Sequence, residues 1–178
     1  MTLSADEREL SRTIEVMRVP PGGRSFAIVA SPSEREALAR RLRVESIGKL
    51  EARGRVAWLP GGQILEVDGR IEARVTQLCV VTLEPFEQTL AFSFTRRFTP
   101  LKEPQTGEVV IDVERDEPEP LEGTVLDLGE IVAEELALAL DPYPRGPMAD
   151  AAMRAWEETA RDEPAATSES ATIASGRH

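Results

Sequence analysis

Few side chains in this sequence could carry out covalent or metal chemistry. Cys79 is the only cysteine, and the only histidine is His178, at the end of the sequence. Zinc is held by three or four nitrogen, sulfur or oxygen ligands, and a catalytic thiol needs a base beside it. Adjacent carboxylates such as Glu134 and Glu135 point in different directions from a helix. The sequence therefore predicts that the protein is not an enzyme, with no catalytic residues, no metal site and no cofactor.

A second group of candidate residues consists of arginines at alternate positions of two consecutive segments. They are Arg53, Arg55, Arg70 and Arg74. Alternate residues leave a β-strand on the same side, so paired strands would present these guanidinium groups on one face. Such a face can bind the phosphates of RNA. Alternatively, Glu51, Asp68 and Glu72 on the same face neutralise the arginines as ordinary cross-strand ion pairs, and both interpretations remain open.

The elements that would carry these arginines follow from the spacing of apolar residues. Apolar and polar residues alternate over 49–59 and again over 64–78, with a Pro-Gly-Gly turn sequence between the two segments. Period-two alternation on both sides of a turn predicts a β-hairpin. If Leu59 faces Ile64, all apolar residues of the hairpin fall on one face, and a shift of one residue would expose one strand's whole set.

The same register places Gly54 opposite Gly69, which predicts a bend or a close backbone approach. A third strand over 86–98 has four of the five phenylalanines at positions of one parity. Arg96 falls on that apolar parity, so either the strand leaves the core there or its face is functional. A fourth, shorter strand is predicted over 109–113.

Two helices are predicted beside these strands. The first spans 32–42, where Ser31 begins a capping box. The second spans 128–140, with Asp127 as its cap and Pro142 preventing its continuation. Two short strands come before the first helix, at 13–19 and 26–29. The predicted fold is α+β, with an antiparallel β-sheet or a partly closed β-barrel and two flanking helices.

Charge is distributed unevenly along the 178 residues, whose net charge is −11. Residues 1–98 hold 15 Lys and Arg against 13 Asp and Glu, whereas residues 99–178 hold 6 against 19. The sequence predicts a flexible N-terminus over 1–12, a single α+β domain over 13–145, and an acidic, largely disordered tail over 146–178. Without a secretory signal or a membrane-spanning apolar run, the protein is expected in the cytoplasm.

Two segments, 76–85 and 126–145, carry the most specific motifs. The first has a cysteine, then Glu-Pro and a Phe-rich strand, and the second is an Asp-Leu helix that ends in Leu-Asp-Pro. Together they resemble the YceD family, the large ribosomal RNA subunit accumulation proteins. The matching positions are Cys79, Glu84, Pro85, Asp127, Glu130, Leu136 and Pro142. Thr82 replaces the second cysteine of the family's commoner Cys-x-x-Cys form, and the chain looks like an alphaproteobacterial member.

The resemblance implies a non-enzymatic role in the accumulation of large-subunit ribosomal RNA in bacteria. Two interpretations then compete. In the first, the arginine face binds ribosomal RNA or a pre-ribosomal particle. In the second, the chain is an acidic protein-interaction module that binds a basic ribosomal or other protein. Neither involves a membrane or a small-molecule substrate.

Overall fold

The computed structural model describes residues 9–100, 118–121 and 123–162, which form seven strands and three helices. The strands are β1 Thr13–Glu15, β2 Arg24–Val29, β3 Ser46–Trp58, β4 Leu65–Leu78, β5 Pro85–Pro100, β6 Glu119–Leu121 and β7 Val125–Asp127. The helices are α1 Pro32–Leu42, α2 Leu128–Ala139 and α3 Ala149–Asp162.

Five of the strands form an open sheet in the order β2-β3-β4-β5-β6. Neighbours in this sheet are antiparallel, except that β6 runs parallel to β5. Strands β1 and β7 form a separate antiparallel pair. The predicted α+β class with an antiparallel sheet is confirmed. The sheet is not closed into a barrel, and α3 joins the two predicted helices.

The central hairpin of β3 and β4 has the register that the apolar pattern predicts. The Leu59 N–H donates to the Ile64 carbonyl at 2.9 Å, and Val56 lies opposite Val67. Both valines are buried. The charged positions of the two strands lie on the other, outer face. Burial of one face therefore fixes the register, because a shift by one residue would exchange the two sets.

Two glycines lie at the centre of this hairpin. Four adjacent strands place Phe26, Gly54, Gly69 and Phe94 in one row across the sheet. A Cβ atom on Gly54 would lie 2.7 Å from the Phe26 ring, and one on Gly69 would lie 2.8 Å from the Phe94 ring. The predicted close backbone approach is confirmed, because a Cβ atom on Gly54 would also collide with the backbone carbonyl of Asp68 and lie 2.8 Å from the Gly69 Cα.

Helices α1 and α2 contribute to the apolar core on the inner face of the sheet. Helix α1 begins with the predicted capping box, in which Ser31 Oγ accepts from the Glu34 N–H at 3.3 Å and the Glu34 carboxylate accepts from the Ser31 N–H at 2.7 Å. Leu38 of α1 is fully buried, as are Val132 and Leu136 of α2. These side chains join the inner residues of β3, β4 and β5 in one core. The opposite face of the sheet is left with the charged residues.

Strand β1 is shorter than predicted. The strand expected over 13–19 ends at Glu15, and Val16–Arg18 forms a 3-10 turn. The Val16 N–H donates to the Thr124 carbonyl at 2.9 Å, and the Val16 side chain is buried. Val19, of opposite parity to Val16, is buried as well, so the turn brings into the core a side chain that simple alternation would have placed outside.

The described residues include the last part of the predicted N-terminal segment and the first part of the predicted tail. Leu10 is fully buried, and the Asp127 carboxylate accepts hydrogen bonds from the Ser11 hydroxyl and the Arg12 N–H, both at 2.7 Å. Within the predicted tail, Ala149–Asp162 is helical. The strand predicted over 109–113 lies outside the described residues, as do 1–8 and 163–178. None of the helices described is long and apolar enough to span a membrane.

Candidate nucleic-acid interface

The structure brings the four predicted arginines onto one exposed face of β3 and β4, which we call the arginine face. Arg53 and Arg70 lie directly opposite each other across the hairpin. Arg55 is one row to one side of this pair, and Arg74 is two rows to the other side. Two paired strands therefore collect four guanidinium groups that are up to 21 positions apart in sequence.

Lys49 pairs with the carboxylates that could have neutralised Arg53. Its Nζ lies 3.2 Å from Glu51 and 3.1 Å from Glu72. The hydrogen bond from Lys49 lowers the pKa of Glu72, with smaller effects from the charges of the two nearest arginines. Arg70 is 3.8 Å from Glu72, a longer contact. Glu51 and Glu72 thus bind chiefly to the lysine.

Among the described residues, the other arginines have no carboxylate within ion-pair distance. Arg55 donates to the Gly22 carbonyl. Arg53 and Arg74 form no ion pair or hydrogen bond with any residue in the described part of the chain. Arg53 and Arg70 also line a shallow cavity of about 160 Å³. Cross-strand carboxylates therefore neutralise Lys49 and, in part, Arg70. The remaining arginines are available to a ligand.

The outer face of β3, β4 and β5 carries nearly equal numbers of basic and acidic side chains. The basic ones are Lys49, Arg53, Arg55, Arg70, Arg74 and Arg97, and the acidic ones are Glu51, Glu66, Asp68, Glu72 and Glu87. The described residues place no aromatic side chain on this face, because the phenylalanines of β5 share the inner parity. Such a face can contact phosphates, but among the described residues it offers no aromatic ring on which bases could stack.

Cys79 lies in a tight turn between β4 and β5. Its N–H donates to the Glu84 carbonyl at 2.9 Å, and its carbonyl accepts from the Leu83 N–H at 2.8 Å. The thiol is buried, and Sγ accepts from the Thr82 N–H at 3.4 Å. Hydrogen bonds from the Thr82 hydroxyl and from backbone N–H groups, including that of Gly146, lower the pKa of the Cys79 thiol to about 7.

The two motif segments meet in space at this turn. The Val80 N–H donates to the Pro144 carbonyl at 2.9 Å. Gln77 Nε2 donates to the Asp141 carbonyl at 3.2 Å. Pro142 lines a cavity of about 370 Å³ beside the same contacts. The segment that follows α2 is therefore fastened to the end of β4, a contact that sequence spacing alone could not indicate.

The remaining motif positions stabilise the fold. Asp127 caps α2 by accepting from the Gly129 and Glu130 N–H groups at 2.9 and 3.3 Å. The Glu130 carboxylate binds Arg41 of α1, with oxygen–nitrogen distances of 2.5 and 3.0 Å, so it joins the two helices. Pro85 is the first residue of β5. Among the motif positions, none faces the arginine face.

Sequence reasoning noticed Arg96 but not its role. The strand does not leave the core at this residue, since Phe98 beyond it is buried. The Arg96 guanidinium binds Glu119 of β6, and it lies 3.2 and 3.1 Å from Glu134 and Glu135 of α2. With a side chain only 19% exposed, Arg96 connects β5, β6 and α2 from the inner face.

No group of three or more histidine, cysteine or carboxylate side chains is placed to hold a metal ion among the residues that the structure describes. The groups around the Cys79 sulfur are hydrogen-bond donors. Thr82 stands where the family's commoner Cys-x-x-Cys form has its second cysteine. His178 lies outside the described residues.

One protein-family model matches this chain. The family model described as large ribosomal RNA subunit accumulation protein YceD matches residues 67–172, more than half of the chain. The match includes both motif segments together with Arg70 and Arg74, and it begins after Arg53 and Arg55. Neither a curated protein nor a solved structure matches the chain. The chain belongs to the YceD family, whose description concerns the accumulation of large-subunit ribosomal RNA.

Proposed function

We propose that this protein takes part in large-subunit ribosomal RNA accumulation by binding that RNA, or a pre-ribosomal particle, through the arginine face. The observation that carries the proposal is the set of four exposed arginines on one face of paired strands, of which only Arg70 lies within ion-pair distance of a carboxylate among the described residues. The protein would act by binding, without catalysing a reaction, in the bacterial cytoplasm.

The chemistry of the face suggests which RNA features it contacts. Guanidinium groups pair with phosphate in a bidentate geometry. Proteins that bind unpaired strands usually add aromatic side chains on which successive bases stack, and this face lacks them among the described residues. Helical RNA is recognised mostly through phosphates and 2′-hydroxyl groups. We therefore propose that the ligand is a structured, base-paired part of the RNA rather than an unpaired strand.

The test replaces Arg53, Arg55, Arg70 and Arg74 together with glutamine. The matched control replaces Arg18, Arg40, Arg154 and Arg161, four exposed arginines elsewhere, and so changes the net charge equally. Recovery of precursor RNA with each variant is compared at two salt concentrations. We expect only the arginine-face variant to lose recovery, and its log–log salt slope to fall by roughly 0.7–0.9 for each phosphate that it no longer binds. Equal recovery and equal slopes for both variants would contradict an RNA-binding face.

A second candidate function rests on helix α3. Its apolar residues recur at helical spacing, at Ala149, Ala152, Met153 and Trp156, and the Trp156 side chain is 78% exposed. An amphipathic helix with an exposed tryptophan can bind a partner groove, and the acidic second half of the chain favours a basic protein. If α3 binds a basic protein, recovery of that protein should resist RNase, and Trp156→Ala should abolish it. The arginine-face variant should leave this recovery unchanged.

A further inference from the structure

A cleft separates β1 from β2, and it is lined by residues other than those of the arginine face. Its volume is about 510 Å³. Its walls are two runs of consecutive residues, 11–14 and 24–28, and Val56 and Leu128 complete the lining. Because consecutive residues of both parities line the cleft on each wall, two strands present their edges to it.

The hydrogen bonds of β1 show which of its groups face this cleft. The Leu128 N–H donates to the Arg12 carbonyl at 3.0 Å, and the Val16 N–H donates to the Thr124 carbonyl at 2.9 Å. These even-numbered residues therefore point toward β7. Backbone direction alternates in an antiparallel ladder, so the N–H and C=O of Thr13 point away from β7.

Strand β2 has the same arrangement on the other wall. The Ala30 N–H donates to the Leu50 carbonyl at 3.0 Å, continuing the ladder with β3. The even-numbered residues of β2 thus pair with β3, and Ser25 and Ala27 direct their N–H and C=O groups outward. Over the described residues, no backbone hydrogen bond joins β1 to β2, and the two strands belong to different sheets.

The side chains around the cleft combine an apolar lining with positive charge. The apolar surface is supplied by Phe26, Ile28, Val56 and Leu128. Arg12 binds Glu34 with two contacts of 2.7 and 3.2 Å, so these two charges neutralise each other. Arg24 is exposed and forms no ion pair within the described part of the chain. The charge left without a partner at the cleft is therefore that of Arg24.

We propose that this cleft binds an extended segment of a partner protein. The segment would add a strand to the edge of β2 that no described strand pairs with, and reach the corresponding edge of β1 on its other side. Main-chain hydrogen bonds would provide affinity, and alternate apolar side chains would fill the lining. A carboxylate of the segment would pair with Arg24. This proposal is independent of RNA binding by the arginine face.

The test uses the intact chain and blocked seven-residue peptides in which valine alternates with glutamate or with lysine. Amide hydrogen exchange is followed by NMR. We expect the glutamate peptide to slow exchange at Thr13, Ser25 and Ala27, and to bind more tightly than the lysine peptide. Arg24→Gln should remove that preference. Ala27→Pro deletes one outward N–H at an edge where proline is tolerated, and should weaken binding roughly 3- to 10-fold, whereas Ala27→Ser should not.

An N-methylated glutamate peptide removes hydrogen bonds from the ligand side, so the test does not depend on the folding of Ala27→Pro. We expect the methylated peptide not to bind. No slowing at these three amides with either peptide would overturn the proposal, as would equal binding of the methylated peptide. The same slowing with a short RNA duplex, or on raising the protein concentration alone, would also overturn it, since the occupant would then be RNA or a second copy.

Discussion

Burial and hydrogen bonding act in opposite directions on the thiol of Cys79. Burial raises its pKa, whereas the hydroxyl and N–H donors around the sulfur lower it more strongly, to about 7. The donors come from the turn itself and from Gly146, more than 60 residues later. The thiol is thus a hydrogen-bond acceptor that helps to hold this turn to the segment that follows α2, which is a structural role.

The first prediction concerns the pH dependence of this role. A pKa lowered on folding means that the thiolate stabilises the fold above the unfolded-state pKa of about 8.5, and that this stabilisation is lost as the pH falls through about 7. The melting temperature of wild type should therefore exceed that of Cys79→Ser by more at pH 9 than at pH 6. Thermal melts of both proteins across this range provide the measurement.

The same variant also tests function. Cys79→Ser should retain RNA recovery, and elemental analysis of wild type should find no stoichiometric metal, because too few ligands surround the sulfur. About one zinc per chain would contradict this expectation and would indicate a site shared between subunits.

A difference between the melting temperatures of wild type and Cys79→Ser that shrinks with rising pH would contradict the hydrogen-bonding account.

Arg96 shows what a sequence pattern can and cannot provide for a single residue. Its position on the apolar parity of β5 marked it as unusual. Its partners are 23 to 39 residues away, on β6 and α2, and no local pattern specifies which carboxylates a buried guanidinium will meet. The exception to the pattern was visible in the sequence, whereas its explanation required the tertiary structure.

At the scale of elements, α2 offers a matched pair of substitutions. Leu136 is fully buried, whereas Leu138 of the same helix is 78% exposed. Leu136→Asp places a carboxylate in the core without a partner, and loss of a buried leucine alone costs about 2–5 kcal/mol. We expect Leu136→Asp to unfold or severely destabilise the protein and Leu138→Asp to leave the melting temperature within a few degrees. Similar thermal melts for the two variants would show that the inner face of α2 is not part of the core.

The hairpin and the first two helices could be predicted because their signals are local. Alternation over many residues, a turn, a capping box and a proline stop each specify an element within a short window. Leu10 could not be placed in the core, because Asp127 and Gly129, which pack against residues 10–12, come more than 100 positions later. The cleft between β1 and β2 was likewise beyond prediction, since two edges from different sheets enclose it. The four arginines were predicted to lie on one face. The pairing of Glu51 and Glu72 with Lys49 was not predicted.

At the scale of the whole molecule, the family match does not coincide with a folding unit. Residues 67–172 exclude β2, α1 and β3, and these elements supply Ile28, Leu38, Leu50 and Val56 to the core. Without them, β4 becomes an edge strand, and its inner residues lose the core partners that these elements supply. We therefore predict that a 67–172 fragment shows no cooperative thermal transition by circular dichroism, whereas residues 9–162 do. A well-dispersed NMR spectrum from the fragment alone would contradict this view of the core.

The order of the strands along the chain determines how long the apolar face of the sheet stays uncovered during synthesis. Strands β2 to β5 are neighbours in the sheet in the same order as along the chain, so this meander can pair as it leaves the ribosome. Helix α2, which covers part of its apolar face, ends at Ala139, 39 residues after the end of β5 at Pro100. At a synthesis rate of roughly 5–20 residues per second, that surface stays uncovered for about 2–8 seconds. During this interval the nascent chain depends on chaperones, or on the speed of translation itself, to avoid aggregation.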